Sequence, residues 1–112
     1  MEQTTNVTEV LMHHLTALQG DQMDEVLLDY TEESVLMSPE KTFRGLAEIR
    51  AFYEAAKAAM PDLMKNFTPI RQDMHGEIVY TTWKAEPYIK MGTDTFVIRN
   101  GKIFVQTFLI VS

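Results

Sequence analysis

Apolar side chains first recur at helical spacing. Val7, Leu11, His14 and Leu18 stand three or four residues apart and form one stripe, which predicts a helix facing a core. Asn6 is placed to cap it, with Glu9 in the capping-box position, and Gly20 suits the left-handed residue that ends it. Asp21 then reads as the cap of a shorter helix carrying Met23, Val26, Leu27 and Tyr30, with Asp24 near its positive end. The two form a helical hairpin. At Val35-Leu36-Met37-Ser38 the pattern becomes short and apolar, and Pro39 removes the next ladder donor, as where a strand stops. After Gly45 the helical period returns through Leu46, Ile49, Phe52, Tyr53, Ala56 and Met60, and Pro61 closes this third helix.

Beyond it the pattern is that of strands. Residues 63–74 form a strand in which Pro69 implies an edge or a bulge, and His75-Gly76 makes a turn. Residues 77–86 hold the β-branched and aromatic cluster Ile78, Val79, Tyr80, Thr81, Thr82 and Trp83. Residues 93–99 and 102–111 flank Asn100-Gly101, a strong hairpin signal because a type I′ turn needs positive φ at both central positions. The expectation is one α+β domain over residues 1–112: three N-terminal helices on one side of a mainly antiparallel sheet.

A two-residue loop sets the register of that hairpin. Arg99 then opposes Lys102, Ile98 opposes Ile103 and Asp94 opposes Thr107. Asp94, Phe96, Ile98, Ile103, Val105, Thr107 and Leu109 share one face, and Val97, Phe104, Phe108 and Ile110 the other. Both faces are apolar, whereas helices cover only one, so a homodimer packed through the sheet is the expected cover.

Composition narrows the partners. The net charge of -6 and the scattered lysines and arginines argue against a nucleic-acid phosphate backbone. No cysteine is present, which removes disulfides, thiolate metal sites and a cysteine nucleophile. The N-terminal residues lack a signal-peptide pattern and no apolar run approaches the roughly 20 residues of a membrane span, so a cytoplasmic protein without a membrane partner is expected.

Two residues stand out as chemistry. Asp94 sits on a face with Phe96 and Ile98. It is either a strand-end carboxylate satisfied by water or a nearby threonine, or a carboxyl in an apolar cavity whose raised pKa keeps it a hydrogen-bond donor. His14 lies on the apolar stripe of the first helix, either a satisfied core histidine or a proton carrier reaching a pocket. His13 points roughly 100° away, so the two histidines do not chelate together. Glu9 and His13 suit a surface ion pair, and no metal is expected. Nucleophile-elbow, zincin and dinucleotide motifs are missing, and the acidic run 21–33 lacks a calcium-loop glycine, so capping and a solvated face account for it. Met37, Phe52 and Trp83 are core side chains that also suit a cavity wall.

Taken in order, "LQGDQMDEVLLDYTEESVLMSP", "TFRGLAEIRAFYE" and "DTFVIRNGKI" resemble the nuclear transport factor 2-like superfamily, in its SnoaL-like and ketosteroid-isomerase-like branch. The resemblance implies a strongly curved sheet wrapped around the helices into a cone, an apolar pocket at its open end and a dimer. Ketosteroid isomerases use an aspartate base before a proline, with a tyrosine on the first helix and a protonated aspartate on a late strand as oxyanion hole. The resemblance matches the late aspartate with Asp94 and brings the tyrosine position near His14. Ser38 stands before Pro39 in place of the base, which argues against that mechanism.

Other branches, among them polyketide cyclases, dehydratases and epoxide hydrolases, arrange aspartate and histidine differently in the same cavity. The expectation is a cofactor-free enzyme acting by general acid–base chemistry on a compact, mostly apolar molecule bearing a carbonyl or hydroxyl group. Asp94 orients the ligand oxygen and His14 moves a proton. Tyr30, Met37, Ser38, Phe52, Trp83, Phe96 and Thr107 are the expected substrate contacts. The alternatives are a non-catalytic binding module and a dimerising scaffold whose cone is filled by side chains.

Overall fold

A computed structural model describes the backbone of residues 2–112 and the side chains from Val7 onward. Helix α1 (Glu2–Gln19) and the short α2 (Met23–Leu27) form the hairpin, and strands β1 (Val35–Met37) and β2 (Thr42–Arg44) lead into α3 (Gly45–Ala59). A 3₁₀ turn (Met64–Asn66) precedes β3 (Phe67–His75), β4 (Ile78–Ala85), β5 (Ile89–Arg99) and β6 (Lys102–Val111). No helix among the described residues is long and apolar enough to cross a membrane.

The start and end of α1 differ from the expected caps. The helix begins at Glu2, upstream of Asn6, whose side chain lies outside the described ones. At the other end Asp21, not Gly20, takes the left-handed conformation at φ 58°. The Gln22 amide then donates to the Ala17 carbonyl at 3.0 Å and the Asp21 amide to that of Leu18 at 3.2 Å, which is a Schellman closure. Asp21 therefore ends α1, while Gln22 precedes α2 without a capping side chain. Helix α3 starts as expected at Gly45, whose φ of 83° suits glycine, but two carboxylates complete its cap: Glu32 Oε1 accepts from the Leu46 amide at 3.1 Å, and Glu48 Oε1 from the Arg44 amide at 2.8 Å.

One curled, mixed sheet runs β2-β1-β6-β5-β4-β3. Its N-terminal part exceeds expectation: β2 pairs antiparallel with β1, and β1 lies parallel to β6. Strand β3 is the edge that Pro69 implied, with the register shifting between Pro69 and Arg71. The helices pack into the concave side, where Ile49 of α3 and Leu36 and Ile103 of the sheet are each fully buried.

The β5–β6 hairpin turns at Asn100 (φ 54°) and Gly101 (φ 77°), and Arg99 opposes Lys102. The expected register fails one step later. Ile98 pairs with Ile103 but Val97 pairs with Val105, so Phe104 is an extra residue on β6. This bulge reverses the alternation beyond it: Gln106 is buried, Phe108 and Ile110 are half-buried, and Thr107 and Leu109 are exposed. Asp94 consequently opposes Phe108, not Thr107.

Candidate functional site

Between α1, α3 and the concave face of the sheet lies an apolar cavity of about 250 Å³. His14, Phe52, Trp83, Asp94 and Phe96 line it. Four expected contacts lie elsewhere. Met37 and Thr107 are exposed, on β1 and beyond the bulge of β6, because the strand phases point them away from the helices. Ser38 closes a turn, donating to the Lys41 carbonyl at 3.0 Å. Tyr30 is fully buried and meets residues of the cavity wall through its hydroxyl.

Asp94 is placed by alternation on β5, inward with Phe96 and Ile98, and is 8% exposed. Both of its oxygens receive a donor: Trp83 Nε1 donates to Oδ2 at 2.7 Å and Gln106 Nε2 donates to Oδ1 at 3.1 Å. Burial pushes its pKa up, against the lowering effect of these two hydrogen bonds. The Trp83 bond depends on Gly92, its cross-strand partner, since a β-carbon there would come within 2.4 Å of the indole.

From Gln106 a hydrogen-bond chain runs back to the helices. The Tyr30 hydroxyl donates to Gln106 Oε1 and lies 2.7 Å from the Tyr53 hydroxyl. Because the single Tyr30 proton goes to Gln106, Tyr53 supplies the proton of the Tyr30–Tyr53 contact. Tyr53 Oη in turn is 3.4 Å from His14 Nε2 and 3.5 Å from Gln106 Oε1. Burial holds both tyrosines protonated, raising Tyr30 far above the ordinary phenol value and Tyr53 above it as well.

Behind His14 stands Asp29, which is 6% exposed despite lying in the acidic run expected to be solvated. Its Oδ2 is 3.6 Å from His14 Nδ1, a buried nitrogen without a hydrogen-bond partner among the described residues. His13 Nδ1 contacts both Asp29 oxygens at 2.8 and 2.9 Å, and its Nε2 meets Glu25 at 3.0 Å. Hydrogen bonds donated to the Glu25 carboxylate and then to that of Asp29 raise the His13 pKa. His13 therefore partners α2 and the residues after it, not Glu9 on its own helix. Among the described residues no group of three or more His, Asp or Glu side chains is arranged to hold a metal ion.

The structure thus joins His14 to Asp94 through Tyr53, Tyr30 and Gln106, of which only Tyr30 was expected. Gln106 had one signal in the sequence, a lone amide in the apolar run "IFVQTFLIV". Tyr53 is indistinguishable there from a core residue of the α3 face.

Comparison of the sequence with curated proteins finds no match. Solved structures of similar fold are numerous. A SnoaL-like protein of unknown function from Burkholderia thailandensis superposes with a TM-score of 0.80 at 14% identity, over 96% of this chain and 97% of that one. A provisionally assigned polyketide cyclase from Sinorhizobium meliloti gives 0.74 at 16% identity, over 89% and 93% of the two chains. A provisionally assigned isomerase of the SnoaL-like family from Agrobacterium tumefaciens gives 0.72 at 18%, over 96% and 99%. The family model described as the SnoaL-like domain matches residues 11–106, a span that includes every member of the chain from His14 to Gln106, and the protein accordingly belongs to the SnoaL-like family.

Proposed function

We propose that the protein binds a compact, mostly apolar molecule with a carbonyl or hydroxyl oxygen and transforms it by general acid–base chemistry, as an isomerase, cyclase, dehydratase or hydrolase. The observation that carries this reading is Asp94: a buried carboxyl on an apolar cavity wall, with its pKa raised and a donor on each oxygen. In its protonated form it donates to a ligand oxygen; as a carboxylate it takes a proton from the carbon or oxygen beside it. His14, on the same wall, moves the second proton, with Tyr53 next to its Nε2. The structural likeness to a provisionally assigned cyclase and isomerase supports the reaction class.

Because the substrate is unknown, the test uses a general reaction. A panel of compact apolar ketones is incubated with the protein in deuterated buffer, and loss of the α-proton signals is followed by NMR. Acceleration over buffer is expected, with Asp94→Asn and His14→Gln each reducing it by about a hundredfold, the usual worth of one acid–base group. If a ketone shifts the cavity resonances while its α-protons do not exchange, the catalytic reading fails and the non-catalytic binding module takes its place. The open cavity weighs against the side-chain-filled scaffold.

The outer face of the sheet supports a second element of the proposal, a homodimer. Met37 on β1, Ile78 on β4, and Leu109 and Val111 on β6 are exposed there, at 39, 47, 48 and 52%.

A further inference from the structure

His14 is 1% exposed, yet carrying a proton requires its ring to hold a positive charge in passing. Tyr30, Tyr53 and Phe96 stand edge-on to the ring at centroid distances of 5.7, 6.1 and 5.6 Å, so its surroundings are aromatic. A buried imidazolium is costly unless a partner offsets its charge. In that state both ring nitrogens carry hydrogens. Nε2 has the neutral Tyr53 hydroxyl at 3.4 Å. Nδ1 has no hydrogen-bond partner among the described residues, and the carboxyl beside it is Asp29, with Oδ2 at 3.6 Å. The pair stands just beyond a hydrogen bond, and a few tenths of an ångström would close it.

Asp29 is itself buried, and it does not serve His14 alone. His13 Nδ1 contacts both of its oxygens at 2.8 and 2.9 Å, and the His13 side chain is 40% exposed. One buried carboxyl therefore stands between two histidines, one in the cavity wall and one in water. Two positive charges compete for it. The other titratable groups around this cluster leave that competition in place. Glu25 of α2 holds the far nitrogen of His13 at 3.0 Å, burial keeps Tyr30 and Tyr53 neutral, and Asp94 lies on β5. On β6, Lys102 donates its Nζ to the Leu28 carbonyl at 2.6 Å.

We propose that Asp29 is the positioning residue of His14, supplying the counter-charge that lets the buried ring take a proton, and that His13 sets from the surface how much of that charge His14 receives. This rests on the reading of His14 as a proton carrier, and adds what stabilises the charged ring and what regulates it. While His13 is protonated, Asp29 is already half of an ion pair, and His14 binds a proton weakly. As rising pH removes the His13 charge, the carboxylate is left to His14, which binds a proton more tightly.

The test is the proton affinity of His14, followed through its ring resonances in ¹H–¹³C NMR spectra of the full-length protein as pH is varied. Asp29→Asn keeps the shape, removes the negative charge and is expected to weaken that affinity tenfold or more. His13→Gln removes a positive charge from the same carboxylate and is expected to strengthen the affinity about threefold. That effect is the smaller because His13 is partly exposed, and it should shrink as sodium chloride is added. A merely structural role for the two residues gives no such opposition of sign. Should circular dichroism show that Asp29→Asn does not fold, the exposed His13→Gln decides alone. An unchanged affinity in Asp29→Asn, an unchanged or weakened one in His13→Gln, or a wild-type His14 that stays neutral down to about pH 5 overturns the assignment. If the affinities move as expected while no ketone exchanges its α-protons, the pairing stands and the catalytic reading alone fails.

Discussion

Asp94 and His13 are shifted in the same direction by opposite causes, and this separates their roles. Burial raises Asp94 by penalising its charge, whereas the Glu25 and Asp29 carboxylates raise His13 by favouring its charge. Replacing Trp83 by Phe removes the donor to Oδ2, the larger of the two hydrogen bonds that favour the carboxylate. The Asp94 pKa is then expected to rise further, read as an upward move of its side-chain carboxyl resonance in a ¹³C NMR titration. A group with a raised folded pKa stabilises the fold fully below its unfolded value and loses that contribution as pH climbs through the folded one. For His13 the loss begins at about pH 6.5 and ends above its raised value. Urea midpoints of the wild type should therefore fall over this window relative to those of His13→Gln. Equal slopes in the two proteins would show that the Glu25–His13–Asp29 contacts contribute nothing to folding.

At the scale of elements, punctuation in the chain translated directly into structure. Asn100-Gly101 turns β5 into β6, Pro69 sits on an edge strand beside a register shift, and Gly45 opens α3. Gly45 is the most demanding of these, because a β-carbon there would lie 2.9 Å from Glu32 Oε1 in addition to the left-handed backbone. Gly45→Ala is expected to cost about 1–2 kcal/mol or more, measured by urea denaturation. A cost near zero would mean that Glu32 is dispensable as a cap. Element phase was less legible. The Phe104 bulge exchanges Thr107 for Gln106 at the inner face, and nothing in the alternation of "KIFVQTFLIV" marks where an extra residue goes. A bulge is a property of two paired strands and of the curvature they must adopt, so one strand's pattern does not contain it.

For the whole molecule, the exposed apolar side chains of the outer sheet face are the feature with the clearest consequence. A dimer through this face is expected to dissociate when Leu109 is replaced by Lys, since a charge placed in an apolar interface is desolvated without a partner. Light scattering after size exclusion should give a dimer for the wild type and a monomer for the variant, with Trp83 fluorescence unchanged. A wild-type monomer at high concentration would remove the dimer from the proposal. Leu36, fully buried between helices and sheet, tests the core instead: Leu36→Ala should cost about 2–5 kcal/mol in either state.

The sequence by itself determined the three helices, the principal turns, the face that Asp94 shares with Phe96 and Ile98, and the family. The first three depend on neighbours a few residues apart, through helical spacing, strand alternation or the φ values that glycine and asparagine tolerate, and the family on the order of such motifs along the chain. Tertiary structure alone decided what surrounds Asp94. Gln106 reaches it because of a bulge, Trp83 because Gly92 leaves room for an indole, and Tyr30, Tyr53 and His14 because the segment after α2, α3 and α1 converge over one curved sheet. Met37 and Thr107, apolar or suitably polar in the sequence, face outward for the same reason. Side chains far apart along the chain meet only when strand register, curvature and helix docking are settled together, and packing settles them across the whole domain at once.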